Sequence, residues 1–233
     1  MFKREHHQRI GRVLEALNSQ LLFENNCYFG GGTAITLMYG EFRESVHIDF
    51  LVSDLACYRN LRQLLTGPEG INAIRKPEAS ALKQQKEIRA DQYGLRTTLL
   101  VDNHPIKFEI ILEGRVTLET PNRSQQVCGI TTLTDLDMAT SKLLANSDRW
   151  ADASVFSRDL IDLAMMATTK ELLNNAISKA EIAYGNAIIR DLNKAIEKLS
   201  ARNNFLDRCI LAMNIETPKV LIWKNLQHLQ QHI

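Results

Sequence analysis

From about residue 133 onward, the hydrophobic pattern of this chain changes period, and that change constrains its fold more than any other feature. Upstream, residues 46–52, 95–101 and 106–112 are short runs rich in β-branched and aromatic side chains, as half-buried strands require. Downstream, residues 141–146, 156–168, 170–184 and 187–199 are rich in Leu, Ala, Lys and Asp at helical spacing. The two patterns predict an α/β (α+β) protein in two parts. Residues 1–134 would form a core with a short mixed sheet, and residues 135–233 an all-helical lobe closing over the cleft. A length of 233 residues with 45% hydrophobic content can bury a core in each part.

Other elements follow from local signals. Ile10, Val13, Leu14, Leu17, Leu21 and Leu22 predict one helix over residues 5–25, ended by Asn25 and Asn26. Residues 27–29 read as a short strand, and Thr33 as the N-cap of a helix reaching Met38, with Gly40 as its stop. Residues 54–66 read as a helix, residues 102–105 as a turn between two strands, and residues 120–129 as a polar connection. Residues 70–93 carry no clear pattern. Asp135 and Asp137 read as acids at a helix start.

The formal charge of +1 excludes a global field that would draw the chain to nucleic acid or membrane, though not a local basic groove. The four cysteines, Cys27, Cys57, Cys128 and Cys209, form no CxxC pair, so reduced thiols are expected rather than disulfides or a zinc knuckle. No signal-peptide core and no apolar run of about 20 residues is present, which predicts a cytoplasmic protein with no membrane partner.

Chemistry concentrates between Gly30 and Phe50. Glycine permits positive φ and lets backbone approach phosphate oxygens, and a helix that starts there points free N–H groups at an anion. The strand that follows places His47 and Asp49 two residues apart, hence on one face. Glu109, an acid in the otherwise apolar run 108–111, would supply a third ligand, or else sit on a solvated face paired with Lys107. Phosphoryl chemistry with two metal ions needs carboxylates that bridge the ions.

Gly31, Gly32, Thr33, Ala34 and Ile35, then Arg43, Ser45, His47, Ile48, Asp49 and Phe50, resemble the GGTAL…R-x-S-x-D-I-D-F pattern of the AbiEii/AbiGii toxin family, nucleotidyltransferases of the polymerase-beta-like superfamily. The resemblance is specific over residues 30–52 and looser over most of the chain. His47 departs from it, standing where the family carries an acid. Imidazole suits Mn²⁺ or Zn²⁺ better than Mg²⁺, which prefers oxygen ligands. Further on, Lys142, Ala145, Arg149, Arg158, Asp159 and Asp162 match a second motif of the family, although Arg158 and Asp162 could equally be an ordinary i,i+4 ion pair.

The resemblance implies transfer of a nucleoside monophosphate from an NTP to an acceptor hydroxyl, by a bacterial toxin with tRNA as a conceivable acceptor and an antitoxin or regulator as partner. His47, Asp49 and Glu109 would hold Mg²⁺ or Mn²⁺. Gly31, Gly32, Thr33, Arg43 and Ser45 would contact the nucleotide, Lys142 would support the triphosphate, and Asp159 would help assemble the site. Two alternatives stay open: a small-molecule, antibiotic-modifying nucleotidyltransferase, and a catalytically silent fold used for binding. Among the weaker signals is the basic stretch 75–89, which could border an RNA groove. Trp150 and Trp223 read as packing residues and His228 and His232 as solvated histidines, while His6 and His7 carry no clear signal.

Overall fold

The computed structural model describes residues 2–201 and 204–233. They form two compact units, Met1–Met38 with Ser45–Thr134, and Tyr39–Glu44 with Asp135–Ile233. The segment Tyr39–Glu44 thus belongs to the helical unit although it lies within the first half of the chain.

The first unit is built on a five-stranded mixed sheet. Its strands are β1 (Tyr28–Gly30), β2 (His47–Val52), β3 (Arg89–Ala90), β4 (Gly94–Val101) and β5 (His104–Leu112), in the order β1-β2-β5-β4-β3. Only β2 and β5 run parallel; the other pairs are antiparallel. Alternation sorts the side chains by face. Ile48, Phe50 and Val52 of β2 are buried, as are Phe108 and Ile110 of β5. The rings of Phe29, Phe50 and Phe108 form a chain with centroids 5.6 Å apart at each step, a geometry that adds to their area burial. The opposite face carries His47, Asp49 and Glu109. The helices α1 (Glu5–Ala16), α2 (Ser19–Glu24), α3 (Gly31–Met38) and α4 (Leu55–Leu65) complete the unit, with a small β6 (Gln126–Val127) and β7 (Ile130–Thr131) hairpin.

Three local expectations need correction. The single helix over residues 5–25 is two helices, because Leu17 turns extended and bridges Arg75, while the Asn18 side chain accepts the Leu21 N–H and caps α2. A local capping bond and a long-range bridge outweigh the continuous apolar periodicity. Thr33 is not an N-cap, since α3 begins two residues earlier, at Gly31. Residues 156–168 are not one helix. Phe156 and Ser157 adopt left-handed φ of 53° and 49°, and the helix runs only from Arg158 to Met165. Residues 102 and 103, with φ of 49° and 63°, give the two-residue turn that matches the twist of a hairpin.

The second unit is helical: α5 (Asp135–Arg149), α6 (Arg158–Met165), α7 (Lys170–Tyr184), α8 (Ala187–Ala201), α9 (Phe205–Ala212) and α10 (Lys219–Gln231). The central helix, α5, packs against α6, α7 and α8, and Met138, Ala139, Leu143 and Leu144 are among its buried residues. Asp137, in its first turn, is also buried and paired with Lys179 at 2.6 Å. Among the described residues, no helix is long and apolar enough to cross a membrane. The four cysteines are free thiols.

Candidate functional site

Gly31 follows β1 with φ of +68°, where an L side chain is strained. Space forbids a side chain as well: a Cβ there would stand 2.8 Å from Asp49 Oδ2 and 3.0 Å from Asp49 Cβ. Asp49 is placed by its pairing with Gly30 across β1 and β2. Its carboxylate therefore lies against the start of α3, where the positive end of the helix dipole favours negative charge. A Cβ on Gly30 would meet Leu133 Cδ1 at 2.6 Å and Leu51 Cδ1 at 2.8 Å, so the close approach of strand and turn needs both glycines.

Thr33 and Ser45 tie this turn to the entry of β2. Thr33 is buried and its hydroxyl donates to the carbonyl of His47 at 2.5 Å. Having spent its one proton, it accepts from Ser45 Oγ at 2.7 Å. The Ser45 backbone N–H donates to Nε2 of His7 at 3.0 Å. His7 is wholly buried, a placement that the sequence did not signal.

Glu109 lies opposite Asp49 in the parallel register of β2 and β5, and Lys107 lies opposite His47. All four project to the same face. Arg96, on β4, lies opposite Glu109 in the antiparallel register. Glu109 meets Arg96 Nε at 3.0 Å through one carboxylate oxygen and Lys107 Nζ at 2.7 Å through the other. Arg96 also reaches Asp91 at 2.9 Å. The Asp91 carboxyl is held below the usual carboxylate range, first by the Tyr93 N–H it accepts. Val46, His47, Lys86, Arg89, Arg96 and Lys107 border an open groove of about 730 Å³ on this unit.

The expected metal set of His47, Asp49 and Glu109 does not come together as a ligand cage. Both oxygens of Glu109 already face protein cations. Among the described residues, no three His, Cys, Asp or Glu side chains are placed to hold a metal ion. The residues as they stand do not fit a three-ligand divalent site.

In the helical unit, the residues of the second motif meet one another. Arg43 grips Asp162 in a two-pronged pair, Nε to Oδ1 at 2.7 Å and Nη2 to Oδ2 at 2.8 Å, and its Nη1 donates to the Glu44 carbonyl. Lys142 Nζ bonds Asp162 at 2.7 Å and Asp159 at 3.1 Å. Arg149 closes the network on Asp159 with contacts of 2.6 and 2.9 Å. Arg43, Lys142, Asp159 and Asp162 are all buried. Burial alone would raise the Asp159 carboxyl, but Lys142 and Arg149 outweigh it and hold the group well below the usual carboxylate range. The hydrogen bond to Asp159 likewise raises the Arg149 guanidinium. Asp162 is thus engaged by Arg43 and Lys142, not by an i,i+4 pair with Arg158. Arg43 spends its fork on a carboxylate, where a phosphate contact was expected.

Arg96 and His7 are partners of site residues that the sequence does not disclose. The strand period put Arg96 on the right face, but only register reveals that it faces Glu109. For His7 no local signal existed.

A mixed sheet, a glycine turn opening a helix and an acid on the adjacent strand define a nucleotidyltransferase fold. A crystal structure described as a candidate nucleotidyltransferase from H. pylori superposes with a TM-score of 0.52 at 17% identity, covering 97% of this chain and 92% of that one. That of JHP933 from Helicobacter pylori gives 0.46 at 16% identity over the same shares of the two chains. The family model "Nucleotidyl transferase AbiEii toxin, Type IV TA system" matches residues 12–211, and the chain belongs to that family. Among curated proteins, none matches the chain.

Proposed function

We propose that this protein transfers a nucleoside monophosphate from an NTP to an acceptor hydroxyl, as the toxin of a type IV toxin–antitoxin pair. The observation that carries the reading is the seating of the Asp49 carboxylate against Gly31, at the opening of α3. Backbone N–H groups at Gly31, Gly32 and Thr33 donate to phosphate oxygens, which glycine alone lets approach closely. Asp49 takes the proton of the acceptor hydroxyl as that oxygen attacks the α-phosphorus and pyrophosphate leaves. The match of Lys142 to the family motif supports it as the lysine for the triphosphate, and within its own unit it bonds Asp159 and Asp162. Arg43, Ser45 and Asp159 act as positioning residues through the bonds described above. The family implies an antitoxin as partner, and tRNA is the proposed acceptor.

The test incubates the full chain with each labelled NTP and total tRNA, with Mg²⁺ or Mn²⁺, beside Asp49→Asn and His47→Asp variants. Label on RNA that is lost with Asp49→Asn supports the reading. No transfer by any form with either metal and any RNA or small hydroxyl acceptor sinks it. The compensation of Glu109 by two cations favours a second reading, a fold that binds nucleotide without turning it over. NTP binding without transfer, even in the His47→Asp variant, is its signature.

A further inference from the structure

Glu109 is the one expected site acid whose surroundings contradict its expected role. Its side chain is only 12% exposed, and an anion so enclosed must be paired. Both of its oxygens are paired, and the partners are Arg96 and Lys107, which reach the surface at 33% and 47% exposure. A carboxylate that faces two cations at hydrogen-bond distance has no favourable field left for a divalent ion, because metal, arginine and lysine would all repel one another. The geometry runs the other way: a largely enclosed carboxylate holds two cations of a surface groove at hydrogen-bond distance.

The groove itself supports that direction. Its lining includes Lys86, Arg89, Arg96 and Lys107 with one lining acid, Glu87, while Asp91 and Glu109 beside it both pair with Arg96, and Glu109 also with Lys107. Its volume of about 730 Å³ lies within the range of small-ligand sites. The lining reaches His47 on β2, two residues from Asp49, so the groove borders the proposed phosphate site without containing the glycine turn. The basic stretch 75–89 contributes Lys86 and Arg89 to it, which gives that stretch a place in the fold.

We propose that Glu109 in this chain is the counter-ion that seats Arg96 and Lys107 as an anion-binding pair at the groove, binding phosphate-ester or pyrophosphate groups, and that it does not ligate metal. The proposal deepens the nucleotidyltransferase reading by assigning a second phosphate subsite beside Asp49, and it rests on that reading only for the identity of the anion. Two measurements on the full chain test it. Mn²⁺ binding followed by its EPR signal should be the same within about twofold for the wild type and Glu109→Gln. Pyrophosphate binding in EDTA at fixed salt should weaken roughly tenfold or more in the Arg96→Ala, Lys107→Ala double variant, since bonds between charged groups are lost. It should weaken several-fold in Glu109→Gln, and recover in Arg96→Lys with Lys107→Arg. A tenfold loss of Mn²⁺ affinity in Glu109→Gln overturns the proposal, and so does pyrophosphate affinity unchanged in the double variant. Neither readout needs turnover, so both measurements report on the subsite even in a chain that transfers no nucleotide.

Discussion

Gly31 and Asp49 occupy space that only a glycine can share: a Cβ on Gly31 would fall 2.8 Å from the Asp49 carboxylate oxygen. Backbone conformation and packing make the same demand there, since φ at Gly31 is +68°. Replacing Gly31 by Ala should cost about 1–3 kcal/mol of stability and push Asp49 off its seat. Urea denaturation reads the first effect and initial transfer rate the second. A Gly31→Ala protein with full stability and full rate would contradict the assigned geometry.

Asp49→Asn keeps the shape of the side chain and removes its basicity. Transfer should fall by about 10²-fold or more, the usual contribution of a positioned base, with the thermal midpoint hardly moved. Parallel thermal melts and rate measurements check both halves of that expectation.

The Arg43–Asp162 pair has side-chain exposures of 6% and 0%, and Lys142 shares the same carboxylate. Asp162→Ala removes the carboxylate that two buried cations share and should cost about 3–5 kcal/mol. Lys219→Ala, which removes an exposed pair with Asp207, should cost at most about 1 kcal/mol. Chemical denaturation of the two variants side by side separates a buried network from a surface contact.

Acid should weaken the helical unit through Asp159. Its carboxyl is held below the ordinary range in the folded chain, against burial, by Lys142 and Arg149. The unfolded chain therefore binds the proton more readily. The stabilisation is complete above the ordinary aspartate value of about 3.9 and is lost as pH falls below it, towards the lowered folded value. Helical circular dichroism during an acid titration should show this limb, and Asp159→Asn should flatten it.

Patterns confined to a few neighbours are legible in the amino-acid order alone. The glycine turn, the strand at residues 46–52 and the hairpin at residues 102–105 follow from turn stereochemistry and a period of two. The long helices after residue 135 follow from helical periodicity. The break at Leu17 is hidden, because its cause includes a bridge to Arg75, far along the chain. The turn at Phe156 and Ser157 is hidden too, since neither residue favours left-handed backbone on its own.

The amino-acid order by itself determined the class: strands then helices, with glycines placed before a helix and an acid two residues beyond a histidine. These are local properties, set by side-chain volume, backbone freedom and alternation. Tertiary structure decided what each charged group does. Register across β4 and β5 gave Glu109 to Arg96, whereas Lys107, two residues away on the same strand, was already legible as a partner; folding brought Asp162 to Arg43 across 119 positions. Charge pairing depends on approach within a few ångströms, and no spacing along a chain encodes that distance for residues so far apart.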